Sequence, residues 1–209
     1  MRFEELFKYL EKNKYYVFSY EDLLLLYSSE SNENIKKMLY RWRKANWISP
    51  LKKGLYELSY PGNYNIPDLY IANKLYSPSY ISLETVLSNH SIIPEVGMAV
   101  TSITTKPTRR FINKHGLFIY RTLKKEFFCG YYTEKHVNYE IQIAEPEKAL
   151  IDYLYFNSFH KRPYNLKHER FDKDVVLSLS KKKLKKYSNM INLDVEVLYA
   201  NLWIIDGSG

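Results

Sequence analysis

Glu145, Glu147, Lys148 and Asp152 put three carboxylates and an amine into one short stretch of the chain. Carboxylates grouped with a lysine are the side chains of metal-dependent nucleases, where a divalent cation activates water and steadies the leaving oxygen. The same residues also suit a helix start. Pro146 falls near the first helical position, and Glu145 and Glu147 complement the positive end of the helix dipole. Lys148 and Asp152 stand one turn apart as an i,i+4 pair. The helix start is the weightier reading. The histidines, His90, His115, His136, His160 and His168, contain no pair at the helical spacing of metal ligands, so each reads as a surface or loop residue. The glycines are scattered and form no phosphate loop, which excludes P-loop and dinucleotide folds. The single cysteine, Cys129, lies between Phe128 and Gly130 and reads as a buried, inert thiol. One cysteine makes neither an internal disulfide nor a cysteine-based zinc site, which fits a reducing cytosol. The expectation is a non-enzyme: no catalytic residue, no metal and no cofactor.

Recognition of an anion is written more clearly into residues 32–58. On a helical wheel Ile35, Met38, Leu39 and Trp42 share one stripe. Lys36, Lys37, Tyr40, Arg41, Arg43 and Lys44 fill the opposite face, and no acid lies between Ile35 and Lys53. An ordinary surface helix mixes its charge signs. Trp47-Ile48-Ser49-Pro50 is expected to end the helix, because proline disfavours helix in the residue before it. Residues 51–58 read as two strands around a basic turn, Lys52-Lys53-Gly54, with Gly54 free to take positive φ. A basic helix followed by a basic hairpin is the reading end of a winged helix-turn-helix, with the helix in the major groove and the hairpin on phosphates.

The totals agree with an anionic partner. Formal net charge is +8 and the hydrophobic share is 45%, enough for real cores in a chain of 209 residues. No signal-peptide pattern opens the sequence, and the aliphatic run 23–26 is far too short for a bilayer. A cytoplasmic protein with no membrane contact is expected.

The elements that must position these groups follow in order. Residues 2–12 form an amphipathic helix and 15–18 a short extended piece. Ser19 caps a second helix, 20–27, with Asp22 closing a capping box. Residues 28–31 turn into the basic helix. Helix, helix, turn, helix, hairpin is winged-helix order. The prolines, glycine and asparagines of 60–67 mark a boundary. It separates a winged helix-turn-helix domain, 1–60, from an α+β domain, 68–206. In the latter, 68–76 is a helix with Leu69, Ala72 and Leu75 inward. Ser82 caps a helix over 82–90. Strands over 98–105, 110–113, 117–121, 127–132 and 137–144 make a mainly antiparallel sheet, with Glu134-Lys135-His136 as a charged turn. After the helix that starts near Pro146, with Ala149, Leu150, Tyr153 and Leu154 buried, come a loop (157–167) and helices over 171–179, 181–187 and 194–203. Lys181, Lys182, Lys183, Lys185 and Lys186 read as a solvated face.

Several stretches resemble AbiEi-type antitoxins of abortive-infection (type IV) toxin–antitoxin systems, which serve phage defence. Residues 78–95, PSYISLETVLSNHSIIPE, resemble the family's signature segment. GLYEL at 54–58 resembles its wing strand, TTKPTRRF at 104–111 its threonine run before basic residues, and IAEPEKALID at 143–152 its helix-start motif. His90-Ser91 departs from the pattern, which has glycine nearer Ser91. The likeness spans about residues 3–155. It implies that the winged helix binds inverted repeats in its own promoter and represses the operon. It also implies that the second domain opposes a nucleotidyltransferase-like toxin encoded next door, with or without direct binding. On this resemblance Lys36, Lys37, Tyr40, Arg41, Arg43, Lys44, Lys52 and Lys53 contact DNA, and Lys106, Arg109 and Arg110 offer an antitoxin surface. A metal-dependent nuclease with a basic targeting domain, or a ligand-sensing regulator, are the readings from other classes.

Overall fold

A computed structural model of the chain describes residues 2–62, 64–94, 97–158 and 170–193. Helix α1 (Phe3–Asn13) buries Phe3, Leu6 and Leu10 and stops at Lys14, which takes a left-handed conformation. After β1 (Val17–Ser19), the Ser19 hydroxyl accepts from the Asp22 N–H at 3.0 Å. The Asp22 carboxylate accepts from the Ser19 N–H at 2.6 Å, so the capping box starts α2 (Tyr20–Leu26) as its spacing predicts. Ser31 caps α3 (Asn32–Lys44), its hydroxyl accepting from the Asn34 N–H at 3.2 Å. Strands β2 (Ile48–Lys52) and β3 (Leu55–Leu58) follow, joined at Gly54 with φ of 80°. They form a three-stranded antiparallel sheet in the order β1-β3-β2. Phe3 packs against Trp42 and Trp47, closing the helices over the sheet. The end of α3 differs from expectation. Ala45 donates to the Arg41 carbonyl, Asn46 turns left-handed with φ of 56°, and the chain leaves before Trp47. Pro50 instead sits inside β2, at the sheet edge where a missing N–H is tolerated.

Next come α4 (Asp68–Leu75), β4 (Ser79–Ile81), α5 (Glu84–Asn89) and β5 (Ala99–Thr104). They lead into β6 (Arg109–Asn113), β7 (Gly116–Thr122), a 3-10 turn at Lys125–Phe127, β8 (Tyr131–His136) and β9 (Tyr139–Ala144). Helices α6 (Pro146–Ser158), α7 (Lys173–Ser178) and α8 (Lys181–Met190) end the described chain. The second sheet has the order β6-β7-β5-β4-β9-β8. It is mixed, because β4 pairs with β9 and β5 with β7 in parallel. The other three pairs, β4–β5, β6–β7 and β8–β9, are antiparallel, so the sheet is mainly antiparallel as expected. The two parallel pairs could not be read from alternation, which reports a strand's faces and not the direction of its neighbour. The class is α+β.

Other local readings are corrected as well. Residues Glu134, Lys135 and His136 belong to β8, and the turn falls at Val137, which takes φ of 48°. Phe128, Cys129 and Gly130 lie outside any strand. Leu83, not Ser82, precedes α5, with φ of 57°, and the Ser82 hydroxyl donates to Asp152 instead of capping the helix. In α4 it is Tyr70 and Ile71 that are buried with Ala72 and Leu75, while Leu69 is half-buried. Most of the expected loop at 157–167 and the final helix at 194–203 lie outside the described residues, as do His160 and His168.

The two sheets meet at their edges. Strand β2 approaches β6, and the Asn113 amide donates to the Leu51 carbonyl at 3.2 Å. Glu57 of β3 is 1% exposed and is held by Lys114 and by His115, whose Nε2 lies at 2.7 Å. The other ring nitrogen of His115 reaches Asp68, at the start of α4, at 3.0 Å. A buried carboxylate is tolerated only with such partners, so Glu57 fastens the hairpin to the larger sheet. No helix among the described residues is long and apolar enough to cross a membrane.

Candidate nucleic-acid interface

Helix α3 turns Ile35, Leu39 and Trp42 into the core and leaves Lys36, Lys37, Tyr40, Arg41, Arg43 and Lys44 exposed. Among the described residues no carboxylate forms an ion pair with any of the five cations. Beside the helix runs an open groove of about 600 Å³. Lys36, Tyr40 and Arg43 line it from α3, and Lys53 and Tyr56 line it from the hairpin, with Glu21 of α2 at its side. Lys44 lies 5.8 Å from the Tyr40 ring. Lys37 and Arg41 stand farther round the helix, one turn apart on its outer face. The structure therefore brings the expected helix residues and Lys53 onto one basic surface.

Lys52 departs from the expected set. Its ammonium donates to the Leu75 carbonyl at 2.6 Å and lies 5.6 Å from the Phe111 ring. Burial first, then the charges of Lys106 and Arg109, push it below the usual lysine range. Lys52 ends β2 and is drawn into the junction between the sheets, while Lys53 lies in the turn and is exposed. The trio in the larger sheet also divides. Lys106 and Arg109 lie over the Tyr76 ring, at 5.5 and 5.7 Å. Arg110 alternates to the other face of β6 and is exposed there with Ile112.

The acidic stretch at the start of α6 has a different fate. Lys148 and Asp152 are 3% and 2% exposed and pair directly. Asp152 also accepts from Tyr80 Oη at 3.0 Å and Ser82 Oγ at 2.9 Å, and Lys148 Nζ donates to Tyr80 Oη at 3.1 Å. Burial pushes the Asp152 carboxyl up, opposed by the Lys148 charge and by these hydrogen bonds. Burial with the neighbouring Asp152 charge holds the Tyr80 phenol well above its ordinary value. Gly130, at φ of 74°, closes this pocket; a Cβ there would stand 2.9 Å from Lys148 Cγ and 2.8 Å from Tyr187 Cζ.

Glu147 accepts from the Ser180 N–H at 3.0 Å, and its second oxygen is buried without a hydrogen-bond partner among the described residues. Glu145 accepts from Tyr187 Oη at 2.6 Å and Lys183 Nζ at 3.1 Å. Burial would raise Glu145, but those two hydrogen bonds and the charges of Lys183 and Lys186 hold it below the usual carboxylate range. The residues weighed as a nuclease set thus look in three directions, to β4, α7–α8 and α8. Among the described residues no three His, Cys, Asp or Glu stand together as a metal set. Half-buried Cys129 lies 3.8 Å from the Met190 sulfur.

Sequence reading missed Tyr80, Ser82, Glu57 and His115. A partial signal existed for the first two, since residues at i and i+2 along an extended segment share a face. Nothing local marked the Glu57–His115 contact. No protein-family model matches the chain, and no curated protein sequence matches it either.

Proposed function

We propose that the protein is a cytoplasmic, DNA-binding autorepressor of the AbiEi antitoxin type, with residues 1–60 as a winged helix-turn-helix domain. The observation that carries this reading is the face of α3, where five cations and Tyr40 are exposed and, among the described residues, none of the five forms an ion pair with a carboxylate. In this reading α3 enters the major groove of inverted repeats upstream of its own gene. Arg41 or Arg43 pairs with guanine, because a planar fork matches its O6 and N7. Lys36, Lys37 and Lys44 supply the salt-sensitive part of the affinity. Lys53, at the hairpin turn, holds a phosphate, and positive φ at Gly54 keeps the turn tight.

The second half of the reading rests on the resemblance over residues 78–152: residues 68–206 oppose a nucleotidyltransferase-like toxin. The burial of Lys148 and Asp152 supports a structural role for the helix-start motif and a protein without catalysis.

The test is fluorescence anisotropy of the full chain on its own upstream DNA and on scrambled DNA, across a salt series. Specific binding is expected, lost in Lys36→Ala/Arg41→Ala/Lys44→Ala. Equal, weak binding to both DNAs, unchanged by the substitutions, would sink the recognition-helix reading. Co-expression with the product of an adjacent toxin gene reads the antitoxin half as recovered growth.

A further inference from the structure

We infer that the cleft bounded by Tyr15, α4 and the β8–β9 hairpin is a binding site for a nucleoside phosphate, with Lys74 as the seat of the phosphate. The inference goes beyond the DNA-binding reading and does not depend on it, since the cleft shares no lining residue with the α3 groove.

The cleft holds about 700 Å³. Sites for small organic ligands run from roughly 300 to 1,000 Å³ and favour the seams between structural units. This one lies on such a seam. Tyr15 comes from the segment between α1 and β1, Tyr70 and Lys74 from α4, and Lys135 and Tyr139 from the β8–β9 hairpin. Its walls are fixed by contacts within the protein. The Asn73 side chain accepts from the Gln142 N–H at 2.7 Å and donates to the Ser79 and Gln142 carbonyls at 3.3 and 3.4 Å, which locks α4 to β4 and β9. Tyr15 donates to the Asp22 carboxylate at 3.2 Å, and the Tyr70 and Tyr139 rings pack at 4.7 Å between centres.

Lys74 calls for an anion. It is half-buried, and its ammonium lies 5.4 Å from the centre of the Tyr15 ring and 5.3 Å from that of Tyr70. Among the described residues it forms neither a hydrogen bond nor an ion pair. A charge drawn out of water needs a partner, and ring faces steady a cation without neutralising it. Lys135 stands at the rim as a second cation. Its pair with Glu140 is 3.8 Å long and joins two exposed side chains, so it ties Lys135 down only weakly.

The rest of the lining says what the anion is attached to. Three tyrosines give flat apolar surface, for which a bare phosphate has no use and on which a nucleobase stacks. Burial, then Tyr139 and Asp22, pushes the Tyr70 phenol up to about 12, and burial with Tyr16 raises that of Tyr139. Both are therefore neutral donors at neutral pH, and among the described residues neither hydroxyl forms a hydrogen bond. Aromatic surface, phenol donors and lysines in one cleft of this size match a nucleoside phosphate.

The experiment titrates the full chain with ATP, GTP, CTP and UTP in turn, by calorimetry, with sodium tripolyphosphate for comparison. It is repeated on three variants. Lys74→Met removes the charge and keeps an apolar stem over the rings. Val137→Asp sets a negative charge on the rim at a residue 99% exposed. Lys36→Ala/Arg41→Ala/Lys44→Ala strips the α3 face. At least one nucleotide is expected to bind, one molecule per chain, more tightly than tripolyphosphate. Lys74→Met should weaken it about tenfold, the worth of one charge-assisted hydrogen bond. Val137→Asp should weaken it to a smaller extent with the fold intact, and the α3 variant should match wild type. Failure of every nucleotide to bind more tightly than tripolyphosphate overturns the inference. So does binding that both cleft variants leave unchanged, or that the α3 variant abolishes. Where Lys74→Met does not fold, Val137→Asp decides alone. The DNA-binding reading is tested separately by the anisotropy series, so either can fail without the other.

Discussion

Helices α3 and α6 are each 13 residues long, and both are rich in charged side chains near functional-looking motifs. Their charges meet opposite ends. On α3 the cations share one sign and face solvent. On α6 Lys148 and Asp152 have opposite signs and are buried against β4. A buried ion pair satisfied by Tyr80 and Ser82 specifies how a helix docks and leaves little for a substrate. An exposed, uncompensated set does nothing for docking and is free for a partner. Residue types alone rank α6 as the more enzyme-like of the two; burial reverses the order.

Asp152→Ala should break that contrast most forcefully. It strands the Lys148 charge in the core, and breaking a buried pair typically costs about 3–5 kcal/mol. Urea denaturation would read this as a lower midpoint, and removing both charges with Lys148→Met/Asp152→Ala should recover much of it. A single variant as stable as wild type would show that the pair is not buried.

A smaller effect is expected at Glu145, at the rim of the same helix. Its pKa is held down, so its contribution is present above the usual carboxylate range and is lost as pH falls through its folded value. Lys183→Ala removes one partner and should move the acid-unfolding midpoint to higher pH, followed by circular dichroism. A midpoint that stays put would mean the Lys183 contact is not formed in solution.

The smallest effect on stability belongs to α3. Lys37→Ala and Arg41→Ala remove exposed charges that pair with no carboxylate, and such changes usually stay within about 0.5 kcal/mol. Their thermal midpoints should match wild type while DNA affinity falls. A large loss of stability would mean that this face is a docking surface within the molecule.

What could be read from residue order was local. Ser19 and Asp22 announced the start of α2 because both halves of a capping box lie within one turn. Ile35, Leu39 and Trp42 announced the buried stripe of α3 because helical periodicity is a property of consecutive residues. Glycine at 54 announced the hairpin turn for the same reason. The tertiary structure decided the rest. Parallel pairing of β5 with β7 leaves no mark on either strand. The separation of Lys52 from Lys53 depends on Leu75 and Phe111, and the fate of Asp152 on Tyr80, 72 positions away. The sequence by itself determined which groups are charged and which faces of short elements are apolar. Only the fold decided which charges are buried, because the energy of a charge depends on its surroundings, and those are supplied by residues distant in the chain.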